Sequence, residues 1–220
     1  MVDYNDYPWC RCFCFCFGRS WIIMGHYFIN DESLKSERRN LYFEFDGNSF
    51  KFVSDNGVFS KNEIDEGSKI LLTAFLNSSK RGRTLDVGSG IGVIGITISK
   101  IANCNVDMLE INKRAVDLCE ENIKINKVSG CEVYESNIYE KANGKYDVVI
   151  SNPPIRAGKK VVFEILEKAK EYLNDSGELW VVIRKNQGAD SAKKKMTEVY
   201  GNCEIVKRDS GYYILKSEVK

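Results

Sequence analysis

Thr84-Leu85-Asp86-Val87-Gly88-Ser89-Gly90-Ile91-Gly92 is the stretch that decides the fold. A short apolar strand runs into a glycine-rich turn, and residues 93–102 follow with helical spacing. The stretch matches D-x-G-x-G-x-G, and Gly90-x-Gly92-x-x-Gly95 overlaps it as a G-x-G-x-x-G fingerprint. Glycines let a backbone turn tightly and approach a ligand without a Cβ clash. The helix that follows offers free N–H groups at its start. Strand, glycine loop and helix together predict a nucleotide-binding loop. Asp86 closes the strand, where a carboxylate repels a pyrophosphate but can pair with an amino group or a sulfonium.

Outward from this loop the elements alternate. Residues 64–77 carry apolar side chains at helix spacing (Ile70, Leu71, Ala74, Phe75). Residues 106–111 form a strand, and Asn112 can cap a helix running to about Asn126. Strands are expected at 131–135, 146–151 and 179–184, and helices at 159–173 and 189–200. Asn174-Asp175-Ser176-Gly177 closes the first of those helices. Val148, Val149 and Ile150 are apolar on both faces, as a central parallel strand requires. Residues 204–208 and 212–216 make a final hairpin across Asp209-Ser210-Gly211. Upstream, 41–45 and 49–53 read as a hairpin across Asp46-Gly47-Asn48. The fold class is therefore α/β, a doubly wound, mostly parallel sheet with an antiparallel hairpin at each end. Ligands then belong at the carboxyl ends of the strands, just after Val87, Ile111, Glu135 and Ser151.

The 220 residues carry 32 basic and 31 acidic side chains, a net charge of +1. No whole-molecule basic field draws the chain to nucleic acid, so such a contact must come from a local patch. No apolar run of about 18 residues occurs, which argues against a spanning helix. The first 23 residues differ from the rest. They hold Cys10, Cys12, Cys14 and Cys16, and Asp3 and Asp6 stand where a signal peptide carries positive charge. Alternating Cys and Phe puts the thiols on one strand face, a poor match to tetrahedral metal ligation. The expected division is an extension at 1–23 outside the fold, with a start at Met24. An N-terminal segment with the hairpin at 24–62 and the main domain at 63–220 follow. Cys104, Cys119, Cys131 and Cys203 sit in apolar surroundings and read as small buried side chains in a reducing cytoplasm. No metal is expected.

Two motifs carry the chemistry. Glu110 ends the next strand, 24 residues after Asp86, where a carboxylate accepts both hydroxyls of an adenosine ribose. That place suits NAD and S-adenosylmethionine equally. Asn152-Pro153-Pro154-Ile155 discriminates. Two prolines fix φ and remove two donors, so the Asn152 amide oxygen and the Pro153 carbonyl can face one point as acceptors. Such a pair suits a planar NH₂ group. Pulling on its hydrogens localises the nitrogen lone pair, and no strong general base is needed. The single histidine, His26, is far from the motif in sequence.

Asp86 to Gly92 followed by Asn152-Pro153-Pro154 resembles the class I S-adenosylmethionine-dependent methyltransferases that modify amino nitrogens. Asn56-Gly57-Val58-Phe59-Ser60, Asp65-x-Gly67-Ser68 and the stretch from Asn152 to Lys159 are more specific. They are similar to the small-subunit rRNA guanine-N2 methyltransferase family and its small single-domain relatives, from roughly residue 26 onward. The resemblance implies a seven-stranded Rossmann-like methyltransferase fold, a cytoplasmic enzyme, S-adenosylmethionine as cofactor, and ribosomal RNA or a ribosomal subunit as partner. It puts Gly88, Ser89 and Gly90 at the methionine part of the cofactor, with Asp86 nearby. Glu110 takes the ribose, Ile111 the adenine face, and Asn137 and Ile138 the adenine amine. Asn152, with Pro153 and Pro154, is the catalytic corner, beside both cofactor and target amine. Phe59, Ile155, Arg156 and Lys159 are implied on the substrate side. The chain departs from the pattern twice: Asn137 stands where many relatives have Asp, and Ile155 where many amino methyltransferases have an aromatic that stacks on a flipped base. The larger rRNA enzymes also carry a second copy of the domain for RNA docking.

Arg156, Lys159 and Lys160 follow the motif where phosphates of a target nucleotide would pass. Arg38, Arg39, Lys80, Arg81 and Arg83 are further basic candidates. Lys193, Lys194 and Lys195 cannot share one helix face and read as a solvated surface. Lys185 and Gln187 follow a strand end on the ligand side. Alternatives to an RNA amine are a protein glutamine or DNA adenine, or an NAD-dependent oxidoreductase using the second fingerprint.

Overall fold

The computed structural model describes residues 34–220. The cysteine-rich stretch, Met24 and His26 lie outside the described residues. Nine strands and five helices follow one another in the order β1 Arg39–Phe45, β2 Asn48–Ser54, α1 Glu66–Leu76, β3 Thr84–Val87, α2 Val93–Ala102, β4 Val106–Glu110, α3 Lys113–Ile125, β5 Cys131–Glu135, β6 Tyr146–Ser151, α4 Lys159–Tyr172, β7 Leu173–Arg184, α5 Ala189–Tyr200, β8 Glu204–Asp209 and β9 Tyr212–Glu218. The main sheet has the order β5-β4-β3-β6-β7-β9-β8. All its pairs are parallel except those of β9 with β7 and β8. From β3 the chain winds outward to β4 and β5, then returns to β6 on the other side of β3. The topological switch point therefore lies between β3 and β6, the place where such sheets open a crevice at their carboxyl edge.

Each face of the sheet has its own core. Met108, Ile150, Trp180 and Val182 meet α1, α2 and α3 on one face. Leu85, Val149, Val181 and Leu215 meet α4 and α5 on the other. Strand β6 is buried on both sides, so its run of β-branched residues faces apolar neighbours either way. The Phe75 ring of α1 meets Trp180 of β7 edge-on at 5.5 Å, which seats α1 against that face of the sheet.

The β1–β2 hairpin shares the first core. Phe43, Phe50 and Phe52 point inward, and α3 ties the hairpin down through two asparagines. The Asn122 side chain accepts from Val53 N at 2.7 Å and donates to the carbonyls of Val53 and Ile91, while Asn126 bonds both backbone groups of Lys51. These bonds satisfy the inner edge of a two-stranded sheet that could not stand alone.

One element boundary differs from the sequence reading by more than two residues. Asn174 to Gly177 does not stand outside the sheet as a helix-closing loop. Strand β7 begins at Leu173, opposite Tyr146, and resumes at Glu178 opposite Val148. The intervening residues form an irregularity in the strand, with Ser176 at φ 58. Turn-forming residues dominate local preference there, but pairing at both ends keeps the segment in the sheet.

Candidate active site

A cleft of about 1240 Å³ opens at the switch point. Its walls come from the loops after β3, β4, β5 and β6, from residues 57–61, and from the arm that leads into β1.

The loop after β3 divides its glycines between two tasks. Gly88 and Gly90 have φ of 75 and 56 and line the cleft. A Cβ on Gly90 would meet nothing within 4 Å, so the bare backbone borders open space. Gly92 and Gly95 do not line the cleft. A Cβ at Gly92 would sit 2.5 Å from the Cys119 sulfur, and one at Gly95 2.5 Å from the Met108 sulfur. The last two glycines of the G-x-G-x-x-G match thus serve helix packing. The loop is locked by Gly88 and Ser89, whose N–H groups donate to Leu109 O.

Asp86 differs from expectation. Its side chain is fully buried beneath the loop and does not line the cleft. One oxygen accepts from Gly95 N at 3.0 Å. Helix α2 has Gly92 at its N-cap and therefore no capping side chain of its own. Asp86 supplies the missing acceptor from the strand, and its charge suits the positive end of the helix. Its other oxygen has no partner. Burial pushes the Asp86 carboxyl up to about 7, against the Gly95 bond, with Glu110 nearby adding repulsion. Ser89 also stands off the cleft wall, with a buried hydroxyl that has no partner.

Glu110 does line the cleft. Its two oxygens accept from Gly90 N and Asn112 N, both at 2.8 Å. A carboxylate oxygen has two lone pairs, so each can still take a hydroxyl proton. Burial raises its pKa, and the backbone bonds oppose that rise. Asn112 caps α3, accepting from Ala115 N. Ile111 and Phe59 also line the cleft, 41% and 42% exposed.

After β5, Asn137 and Ile138 both face the cleft. The Asn137 side-chain nitrogen donates to Glu140 at 3.2 Å. A carboxylate only accepts, so the amide oxygen is the end left available, as an aspartate oxygen would be. Ile138 has φ 52, a strained value for a β-branched residue, held where the loop bends over the cleft.

After β6, Asn152, Pro153, Pro154, Ile155 and Arg156 all line the cleft. Ser151 anchors this corner to the glycine loop by donating to Val87 O at 2.7 Å. The Asn152 side-chain nitrogen donates to Asp65 Oδ2 and to Ser68 Oγ, each at 2.9 Å. Lys159 differs from expectation. It begins α4 away from the cleft, and its ammonium lies 4.9 Å from the Phe163 ring centre, where the aromatic face holds it. Gln187 lines the cleft whereas Lys185 does not, and Arg184 joins it with its guanidinium 4.6 Å from the Tyr212 ring centre. Lys195 is engaged by Glu167 and Glu198.

From the arm at 34–39 sequence reasoning singled out only Arg38 and Arg39, as basic candidates, and it gave no separate role to Asp65. Leu34, Lys35, Glu37 and Arg39 form one cleft wall. Arg114 holds that arm by donating to the carbonyls of Leu34 and Asn56 at 2.9 Å. A contact spanning 80 residues leaves no local signal. Asp65-x-Gly67-Ser68 was visible as a stretch shared with the family, but neither its helix cap nor its link to Asn152 was. Among the described residues no cluster of three His, Cys, Asp or Glu could hold a metal ion, and no helix is long and apolar enough to cross a membrane.

Residues 49–216 match the model of the methyltransferase small domain. The uncharacterized protein YbxB of Bacillus subtilis is 40% identical over 196 residues, covering 88% of this chain and 98% of that protein. Ribosomal RNA small subunit methyltransferase C of Haemophilus influenzae is 40% identical over 131 residues. That match covers 57% of this chain and 39% of the relative, so the chain spans well under half of it. Among solved structures, a T. thermophilus 16S rRNA N2 methyltransferase (RsmC), in complex with AdoMet and guanosine, superposes with a TM-score of 0.77 at 22% identity. It covers 85% of this chain and 52% of that one. A methyltransferase from Pyrococcus furiosus gives 0.59 at 23% identity, covering 68% of this chain and 79% of its own. At these identities the structural likeness is one of fold.

Proposed function

The chain belongs to the methyltransferase small domain family and is an S-adenosylmethionine-dependent methyltransferase, and from that premise we propose that it methylates an exocyclic amine in RNA, namely guanine N2 in ribosomal RNA. The observation that carries this reading is the polarity of the Asn152 amide. Its NH₂ end is spent on Asp65 and Ser68, so its oxygen is the end left to accept. An acceptor beside a diproline corner recognises an N–H donor. It does not suit a hydride-accepting carbon, which weighs against an oxidoreductase.

The residues present fit the cofactor. Gly88 and Gly90 offer bare backbone where a Cβ would intrude on a ligand. Glu110 keeps lone pairs for ribose hydroxyls, Ile111 offers an apolar face, and Asn137 with Ile138 would border the adenine amine. When bound, S-adenosylmethionine supplies a sulfonium methyl as electrophile. Asn152 Oδ1 would hold one hydrogen of the target amine, and the Pro153 carbonyl a second, which localises the nitrogen lone pair. Pro154 keeps the corner rigid. Phe59 and Ile155 would flank the base, and Arg156 would take a phosphate. Lys159, turned toward Phe163, is left out of this set. The same reading keeps 63–220 as the methyltransferase domain, with the 24–62 segment supplying Phe59 and one cleft wall.

Support from relatives runs the same way. The H. influenzae relative is named as an rRNA small-subunit methyltransferase, although this chain matches 39% of its length. The test is radiolabelled methyl transfer to RNA, DNA and protein fractions from cells lacking the enzyme, followed by nucleoside digestion. Label in N2-methylguanosine from ribosomal RNA is expected. Label confined to protein glutamine or to DNA adenine would replace the proposed substrate.

A further inference from the structure

We infer that Asp65 and Ser68 are positioning residues that fix which end of the Asn152 amide meets the target amine. The inference rests on the assignment of Asn152 as the amine acceptor. An asparagine amide can rotate by half a turn and exchange its oxygen for its NH₂ with little change in shape. One orientation accepts from the target amine; the other points a donor at a donor. Something must therefore break the symmetry. Asp65 does so, because an ionised carboxylate has no proton to give and can only face the NH₂ end. Its Oδ2 lies 2.9 Å from the Asn152 nitrogen, and Ser68 Oγ accepts from the same nitrogen at the same distance. The nitrogen end is committed to that side, and the oxygen is the end that remains.

The carboxylate does this from a fixed mount. Asp65 is the N-cap of α1, and the same Oδ2 accepts from Ser68 N at 2.9 Å. Gly67 between them allows the approach. A Cβ there would lie 2.8 Å from the Tyr212 ring and 2.9 Å from Asp65 Oδ2. Helix α1 is in turn seated by Phe75 on Trp180. The charge on Asp65 also polarises the amide, leaving Oδ1 a stronger acceptor than in an unpaired asparagine.

The shared oxygen lets capping be separated from positioning. Asparagine caps helices about as well as aspartate, so Asp65→Asn should fold with a melting temperature near that of the wild type. It removes the charge and the acceptor-only character. We expect kcat to fall roughly tenfold, as for exchange of a charge-assisted for a neutral bond. Ser68→Ala should lower kcat a few-fold. Binding of S-adenosylhomocysteine, measured by calorimetry, should change by less than about twofold in both. A second readout is independent of turnover: the Asn152 side-chain NH₂ protons, observed by NMR, should exchange slowly in the wild type and faster in each variant. In an Asn152→Ala background, Asp65→Asn should have no further effect on residual transfer. Wild-type kcat in Asp65→Asn, or unchanged proton protection in both variants, would overturn the inference. Should Asn152→Ala itself keep full activity, the underlying reading of the site fails instead.

Discussion

The two edges of the main sheet carry similar polar residues and use them in opposite ways. At the amino edge, Asp107 accepts from Arg83 and from the Tyr146 hydroxyl, both at 2.7 Å. Asp147 takes Arg83 N at 2.9 Å and the Asn174 amide at 3.0 Å, and the Arg83 guanidinium stacks 4.5 Å from the Tyr146 ring centre. Side chains there are spent on one another. At the carboxyl edge the polar groups are held but not exhausted. Glu110 is fixed by two backbone bonds and keeps lone pairs. Asn152 spends one end and offers the other. Density of charge does not mark the site; oriented acceptors left unspent do.

The largest effect expected from this contrast is a pH dependence of stability. Asp86 has a carboxyl raised from an ordinary 3.8 to about 7 in the folded chain. Between those values the native state holds more protons than the unfolded state, so stability falls as pH rises through the window. Over the whole window the loss comes to roughly 4 kcal/mol, of which a little under 3 falls between pH 5 and pH 8. Asp86→Asn retains an acceptor for Gly95 N and removes the ionisation. Denaturant unfolding at pH 5 and pH 8 should show a decline in the wild type and a flatter response in the variant. An equal decline in both would assign the dependence to other groups.

Next in size is Gly92→Ala. The residue sits at φ 88, and the new methyl would press on Cys119 and Ile96. Left-handed strain and overpacking together should cost about 3 kcal/mol. A melting curve within a degree of the wild type would show that the core yields more easily than its geometry implies. Smaller again is Asp107→Ala, which deprives the Tyr146 hydroxyl and Arg83 of their partner. With Arg83 40% exposed, about 2 kcal/mol is expected. Methyl transfer per folded molecule should be unchanged, since this edge is opposite the cleft. A large loss of turnover in folded Asp107→Ala would erase the distinction between the two edges.

Most of the scaffold was legible in the residues because local chemistry sets it. Asn112 caps α3 as its place before the helix implied, and Asp46-Gly47 turns the first hairpin. The β6 run of Val148, Val149 and Ile150 lies at the sheet centre. What escaped the sequence depends on partners distant along the chain. The D-x-G-x-G-x-G pattern says that a carboxylate precedes the loop, not that it turns inward to cap α2. G-x-G-x-x-G does not say which glycines meet ligand and which meet Cys119 and Met108. Lys159 lies in a basic run beside the motif, yet the Phe163 ring one helical turn away draws it off. The clamp on Asn152 joins residues 84 and 87 positions apart.

The most direct test is to separate binding from transfer in Asn152→Ala. Calorimetry with S-adenosylhomocysteine and radiolabelled methyl transfer to ribosomal RNA would be run on the same preparation. The account predicts that affinity stays within a few-fold of the wild type while transfer falls by about a hundredfold or more. Wild-type transfer by the variant, or loss of binding in step with loss of transfer, would contradict it.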